Sequence, residues 1–298
     1  MSKEAAPTAR SIAAFILLAL VWGSTWLVIK DQIGSVAPAW SVVWRFILAA
    51  AAMAALALAR GERMRLTSRE LALAAAMGVF QFSLNFQLIY RSEKYLTSGL
   101  VAVVFALMIL PNAVLARLVL GNRLSARFIT GSAVALAGIA MLMLHEYRAA
   151  ALGDGVLVGV ALVSVAILSV SVGNLLQATP TARGVPVVPL MAWGMIWGTA
   201  WSALYASVWI GAPQFELRGG YLAGIAYLGL MGSALTFPLY SQLLRDWGPG
   251  RAAYNSVAVP VVAMGLSTLF EGYQWTGLAA GGALLALAGL LIALSGRS

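Results

Sequence analysis

The chain has 298 residues, 61% of them hydrophobic and only 10% charged; an ordinary globular domain carries about 25% charged residues, so a large soluble domain is excluded. The formal net charge of +9 would suit a nucleic-acid partner, but the cations fall in short loops between apolar stretches, where they set membrane topology, so no nucleic acid is expected. The absence of cysteine excludes disulfides, thiol catalysis and cysteine metal ligation.

Ten stretches are long and apolar enough to cross a bilayer: Ser11–Ile29, Ala39–Ala59, Glu70–Tyr90, Leu96–Leu118, Ala126–Leu144, Gly155–Ala178, Val185–Ile210, Gly220–Leu243, Arg251–Phe270 and Trp275–Leu294. About 30 Å of hydrocarbon at ~1.5 Å of rise per residue asks for roughly 20 apolar residues. The stretches are apolar all round, not striped as helices on a soluble core are. The first follows Lys3 and Arg10 without a small-residue cleavage site, so it is expected to stay in the mature protein.

Polar and aromatic residues within spans are the candidates for substrate contact, because a polar group facing lipid costs several kcal/mol and must face protein or water. In chain order these are Trp22 and Ser24 in the first span, Asn85 in the third, Asn112 in the fourth, Trp193 and Trp197 in the seventh, Tyr240 in the eighth and Asn255 in the ninth. Trp193, Trp197 and Trp201 share a helix face by their spacing, a row suited to flat apolar or cationic ligands or to a helix interface. Arg45 is the one charge inside a span, about 10 Å along the helix from Pro38; either it faces the cavity and pairs with an anionic group or helix end, or it snorkels to the outer interface and locks helices together, and its expected role is structural or gating. Pro111 and Pro260 each remove an N–H and free a carbonyl, that of Leu107 and that of Ser256.

Of the 19 Lys and Arg, Lys30, Arg91, Lys94, Arg148 and Arg218 lie on the side opposite the N-terminus, Arg45 lies within a span, and the rest share the N-terminal side. The positive-inside rule then places both termini in the cytoplasm. Pro111 and Pro260 are each followed by a polar turn and a Gly/Ala-rich span, with Ala135-Leu136-Ala137-Gly138 answered by Ala286-Leu287-Ala288-Gly289. An offset of half the chain implies two five-helix repeats, 11–148 and 153–294. Five is odd, so the second is inverted, an arrangement that puts a transporter's substrate site near the midplane. The expected fold class is therefore an all-α polytopic membrane protein of ten transmembrane helices in two inverted repeats.

Trp22-Gly23-Ser24, Lys30, Pro38 and Arg45-Phe46 resemble the opening signature of the EamA-type drug/metabolite transporters, and Ala106–Gly138 and Ala252–Gly289 resemble the ends of that family's two repeats. Asn122 stands where the family often has Glu after Leu-Gly. The resemblance implies a bacterial inner-membrane exporter of metabolites, amino acids or drugs.

Every Asp and Glu lies in a tail, a loop or a span end, and the one histidine, His145, closes the fifth span. A proton relay or a membrane-embedded enzyme needs acids, bases or ligands at mid-membrane. The expectation is a non-enzymatic exporter of small metabolites, amino acids with an aromatic bias, working as a monomer by alternating access. It needs no cofactor, metal or proton coupling, and its partners are the lipid bilayer and its substrate. The alternatives are a cationic-drug exporter and a membrane-embedded enzyme or lipid-handling protein.

Overall fold

A computed structural model of the chain describes residues 8–34, 36–121, 124–149 and 153–295. Lys3, Glu4, Asn122, Arg123 and Arg297 of the sequence reading lie outside them. Among the described residues there is no strand, and nine helices are long and apolar enough to cross a membrane. They are α1 Ala9–Asp31, α2 Pro38–Ala59, α3 Ser68–Ser92, α4 Ser98–Val119, α5 Ala126–Arg148, α6 Gly155–Gln177, α7 Val187–Trp209, α8 Gly219–Leu243 and, after a shorter apolar helix α9 Asn255–Phe270, α10 Gly277–Ser295. The protein is an all-helical, multi-pass membrane protein.

The ninth helix is shorter than its apolar stretch. Its 16 residues rise only about 24 Å, less than the hydrocarbon thickness. The cause is the preceding helix, which continues to Ala252 and takes the residues from Arg251 that the apolar pattern assigned to the next span; a turn at Ala253 and Tyr254 then starts α9.

Local chemistry sets several ends. Pro38 opens α2 at a position whose N–H would be unbonded anyway. Thr67 and Glu70 form a reciprocal capping box at the start of α3, with Thr67 N donating to Glu70 Oε2 at 2.7 Å and Glu70 N to Thr67 Oγ1 at 3.3 Å. Gly121, at φ 74°, ends α4's helical run in a left-handed conformation.

Three helices depart from α geometry inside the membrane. Gly78–Leu84 of α3 and Tyr227–Leu235 of α8 are π-helical, half a chain apart. Such wider turns leave carbonyls to be satisfied from outside: Ser169 Oγ of α6 donates to Phe80 O at 2.6 Å. In α4 a 3-10 turn at Ala106–Met108 precedes Pro111, which then sits in the first turn of the helical run Ile109–Leu120, where proline is tolerated. Pro260 lies inside α9, so the two prolines do not act alike.

The helices gather into two compact units, each drawn from both halves of the chain. The first contains the chain up to Leu27, Tyr95–Ser164 and everything from Leu239: most of α1, then α4, α5, the start of α6, α9 and α10. The second contains Val28–Lys94 and Val165–Pro238: α2, α3, the rest of α6, α7 and most of α8.

Helices in lipid gain little from the hydrophobic effect against one another, so close packing of small residues holds them together. In the first unit α5 and α10 meet so closely that a Cβ on Gly138 would lie 2.3 Å from Ala286 N, and one on Gly289 would lie 2.2 Å from Ala135 N. The two repeated Ala-Leu-Ala-Gly motifs thus pack on each other, the glycine of each against the first alanine of the other. Gly131 against Ala293 and Gly282 against Leu142 extend the same seam. Gly23 of Trp22-Gly23-Ser24 is where α1 meets α9, since a Cβ there would lie 2.5 Å from Val262. In the second unit a Cβ on Gly78 would lie 2.7 Å from Gly198 N and 2.9 Å from Gly194 O, so the Gly194/Gly198 pair serves contact within the chain.

Candidate functional site

In the first unit, the N-terminal half of α1, the end of α8 and the start of α9 converge. Leu18, Leu243 and Ala252 form a buried cluster, with Phe15, Trp22, Leu239 and Tyr240 packed against it. The Trp22 and Tyr240 rings stand 5.2 Å apart at 56°, a tilted aromatic pair. Asn255 is 2% exposed and donates through Nδ2 to Phe15 O at 3.1 Å. Its Oδ1 is buried without a hydrogen-bond partner among the described residues. That oxygen is a ready acceptor for an ammonium or amide N–H, and leaving it unmatched is costly. A cavity of about 200 Å³ opens beside α1 and α8, lined by Arg10, Ser11, Leu17, Leu239 and Gln242.

Three of the sequence candidates, Trp22, Tyr240 and Asn255, are therefore brought into one neighbourhood. Ser24 is in the same unit, but its hydroxyl donates back to Leu20 O at 2.8 Å and Val21 O at 3.0 Å of its own helix. Asn112 is half-buried in α4, next to Pro111.

The other candidates belong to the second unit. Asn85 is 2% exposed; its Nδ2 donates to Gln81 O at 3.4 Å and its Oδ1 is buried without a hydrogen-bond partner among the described residues. Trp193 donates through Nε1 to Met64 O at 2.8 Å, and Trp197 lies against Gly78. Trp201, next on that face, is 41% exposed. Within this unit the tryptophan row thus runs along a helix interface and out to the surface.

Arg45 does not snorkel to water: it is 3% exposed. Its guanidinium carbon lies 4.4 Å over the Phe86 ring and 5.4 Å from the Phe46 ring, and Nη2 donates to Ser233 Oγ at 3.3 Å. Ser233 sits in the π-helical part of α8, and its own hydroxyl bonds Leu228 O five residues back at 2.9 Å. Arg45 therefore ties α2 to α8 and clamps against α3. Tyr90 and Glu93 lie within electrostatic reach of it.

Glu93 is the residue that sequence reasoning passed over. It stands in a charged run between α3 and α4, where solvation is the ordinary expectation, yet it is 0% exposed, and its backbone carbonyl accepts from Lys30 Nζ. Gln81, a polar residue within the third span, finds a partner across helices: its Oε1 accepts from Gln177 Nε2 at 2.7 Å. Only the non-local packing of α1, α2, α3 and α6 reveals these partners.

At the far end of the first unit, Glu271 caps the start of α4 by accepting from Ser98 N, at 3.2 Å and 3.1 Å to its two oxygens, and from the Ser98 hydroxyl. His145 Nδ1 is 3.1 Å from Thr276 Oγ1 and its ring faces Tyr273. Burial, then the nearby Glu146 carboxylate, push the Tyr273 phenol above its ordinary range. Among the described residues no group of His, Asp and Glu could hold a metal ion.

A model of the EamA-like transporter family matches the chain twice, over residues 9–144 and 157–295. The chain is 28% identical over 262 residues to the uncharacterized inner membrane transporter YedA of Escherichia coli K12, covering 87% of this chain and 82% of that one. It is 24% identical over 132 residues to protein PagO of Salmonella typhimurium, a match that spans only 43% of PagO and 44% of this chain. A solved crystal structure superposes with a TM-score of 0.71 over 98% of this chain and 99% of its own at 19% identity, which shows a shared fold.

Proposed function

Because the chain belongs to the EamA-like transporter family, and so is a membrane transporter of small molecules, we propose that it exports amino acids, with a bias to aromatic ones, across the bacterial inner membrane with both termini cytoplasmic. The observation that carries the substrate reading is the Trp22–Tyr240 pair beside Asn255. An aromatic ring stacks on the pair, and the buried Oδ1 of Asn255 accepts a hydrogen bond from an ammonium group. The same arrangement is neutral, which suits a zwitterion better than a multiply charged solute.

Transport in this reading is alternating access by two inverted repeats, 11–148 and 153–294. Paired π-helical segments in α3 and α8, the mutual packing of the two Ala-Leu-Ala-Gly motifs and the double family match support it. The empty and the loaded carrier both cross between states, and export follows the substrate gradient without a proton. The monomer suffices.

Purified protein in liposomes tests this. Phenylalanine, tyrosine and tryptophan should equilibrate faster than lysine or a cationic dye. A chemically altered product without flux would sink the transport reading. Accumulation above equilibrium under an imposed pH gradient would sink the uncoupled one.

A further inference from the structure

We propose that the second unit carries a binding site for the phosphodiester headgroup of an anionic phospholipid, independent of the transported substrate. The site is a cavity of about 220 Å³ at the end of the unit opposite the N-terminal side of the membrane. Ile33, Ala37, Pro38, Arg91, Lys94 and Ile210 are among its lining residues.

Its charge is one-sided. Arg91 and Lys94 both line the cavity, and among the described residues neither is in an ion pair. The carboxylates of Asp31 and Glu216 at this end are both engaged by Arg218, each at 3.1 Å. Glu93, between the two cations in sequence, is buried at 0% exposure. The N-terminus of α2 adds a partial positive charge at Pro38. Cations on this side of the membrane do not serve topology, since that role belongs to the opposite side. A pair kept here on one cavity, without an acid, therefore calls for another anion.

The geometry is also prepared. Arg91 Nη2 donates to the Tyr205 hydroxyl, and its guanidinium lies 4.9 Å from that ring, so α7 holds it in place and its remaining N–H groups stay available for a phosphate oxygen. Lys94 is exposed and free to complete the contact. The source is a lipid and not a soluble phosphate because of what adjoins the cavity. On α7, Tyr205, which holds Arg91, stands beside Trp201 at 41%, Leu204 at 56% and Val208 at 67% exposure, whose spacing puts them on one face of the helix as an apolar lane. A headgroup seated between Arg91 and Lys94 lays an acyl chain along that lane.

The test uses the full-length protein, delipidated in a neutral detergent, with native mass spectrometry and thermal melting as readouts. The probes are palmitoyl-oleoyl phosphatidylglycerol, the phosphatidylcholine with the same chains, and inorganic phosphate. Phosphatidylglycerol should be retained and should raise the melting temperature more than phosphatidylcholine does. Lys94→Gln should weaken retention about fivefold and Arg91→Gln/Lys94→Gln about 25-fold, at roughly one such factor per cation. Lys94→Gln alone carries the test if loss of the Tyr205 contact unfolds the double variant. Equal retention of the two lipids, or of phosphatidylglycerol by wild type and Lys94→Gln, would overturn the proposal. Displacement of the lipid by millimolar inorganic phosphate would assign the cavity to soluble anions and overturn it as well.

Discussion

Replacing Gly138 by alanine should force α5 and α10 apart. The added Cβ would lie 2.3 Å from Ala286 N and 2.6 Å from Gly282 O, while ordinary contact begins near 3.4 Å, so the helices must separate locally by about 1 Å. Both obstructing atoms are backbone, and no side chain can turn aside. Overpacking of this kind costs about 1–3 kcal/mol, against a gain of about 1 kcal/mol from alanine's better helix propensity. The net expectation is a destabilisation of roughly 0–2 kcal/mol. Adding Gly289→Ala, whose Cβ would lie 2.2 Å from Ala135 N across the same seam, should cost less than the first change, because one separation relieves both clashes. Gly265→Ala in α9 meets nothing within 4 Å and should gain the propensity term alone. Thermal unfolding of the three purified variants in one detergent measures this. If Gly138→Ala melts as high as Gly265→Ala, the seam is not close-packed and the reasoning fails.

Arg45→Ala removes a desolvated cation stacked on Phe86, an interaction worth about 2 kcal/mol, and should lower both yield and melting temperature, with Arg45→Lys in between; an unchanged melting temperature contradicts the clamp. Trp22→Ala should alter the ratio of tyrosine to alanine flux by about two- to tenfold, the equivalent of 0.5–1.5 kcal/mol of aromatic contact, at unchanged protein level. Asn255→Leu should raise the Michaelis constant for zwitterionic amino acids, and an unaltered constant removes Asn255 from the site. A cysteine at Ala212 should react with an impermeant maleimide in intact cells and one at Ala5 should not, and the reverse result inverts the topology.

The crossings were legible because bilayer thickness imposes a run length on any helix that spans it, and α2, α5 and α6 begin within a residue of their apolar stretches. The start of α9 was not: apolar composition says where a chain is in lipid, while a helix end depends on turn geometry, here at Ala253–Tyr254. Pro111 and Pro260 looked equivalent as residues, yet the 3-10 turn is found only before the first, since a kink depends on what surrounds the freed carbonyl. The π-helical segments carry no mark such as proline. Trp22, Tyr240 and Asn255 could each be singled out as polar or aromatic residues in lipid, but their proximity arises from helices over 200 residues apart in sequence. Glu93 escaped for the opposite reason, since a charged run reads as solvated until the fold buries it.

That each unit draws on both halves of the chain has a consequence for biogenesis. The α2 helix packs against α7 through a cluster containing Trp40, Val43 and Ala206, and Val187 of α7 follows Pro38 of α2 by roughly 150 residues. At a synthesis rate of about 5–20 residues per second, α2 waits on the order of 10–30 s in the membrane for its partner. During that interval Arg45 has no Ser233, and the glycine faces of α3 and α5 have no opposing helix. The first half therefore emerges from the ribosome with its polar and small-residue surfaces uncovered, the state in which an insertase or chaperone has something to hold. A nascent chain stalled before α7 should be the form most readily captured by such a factor and most readily degraded.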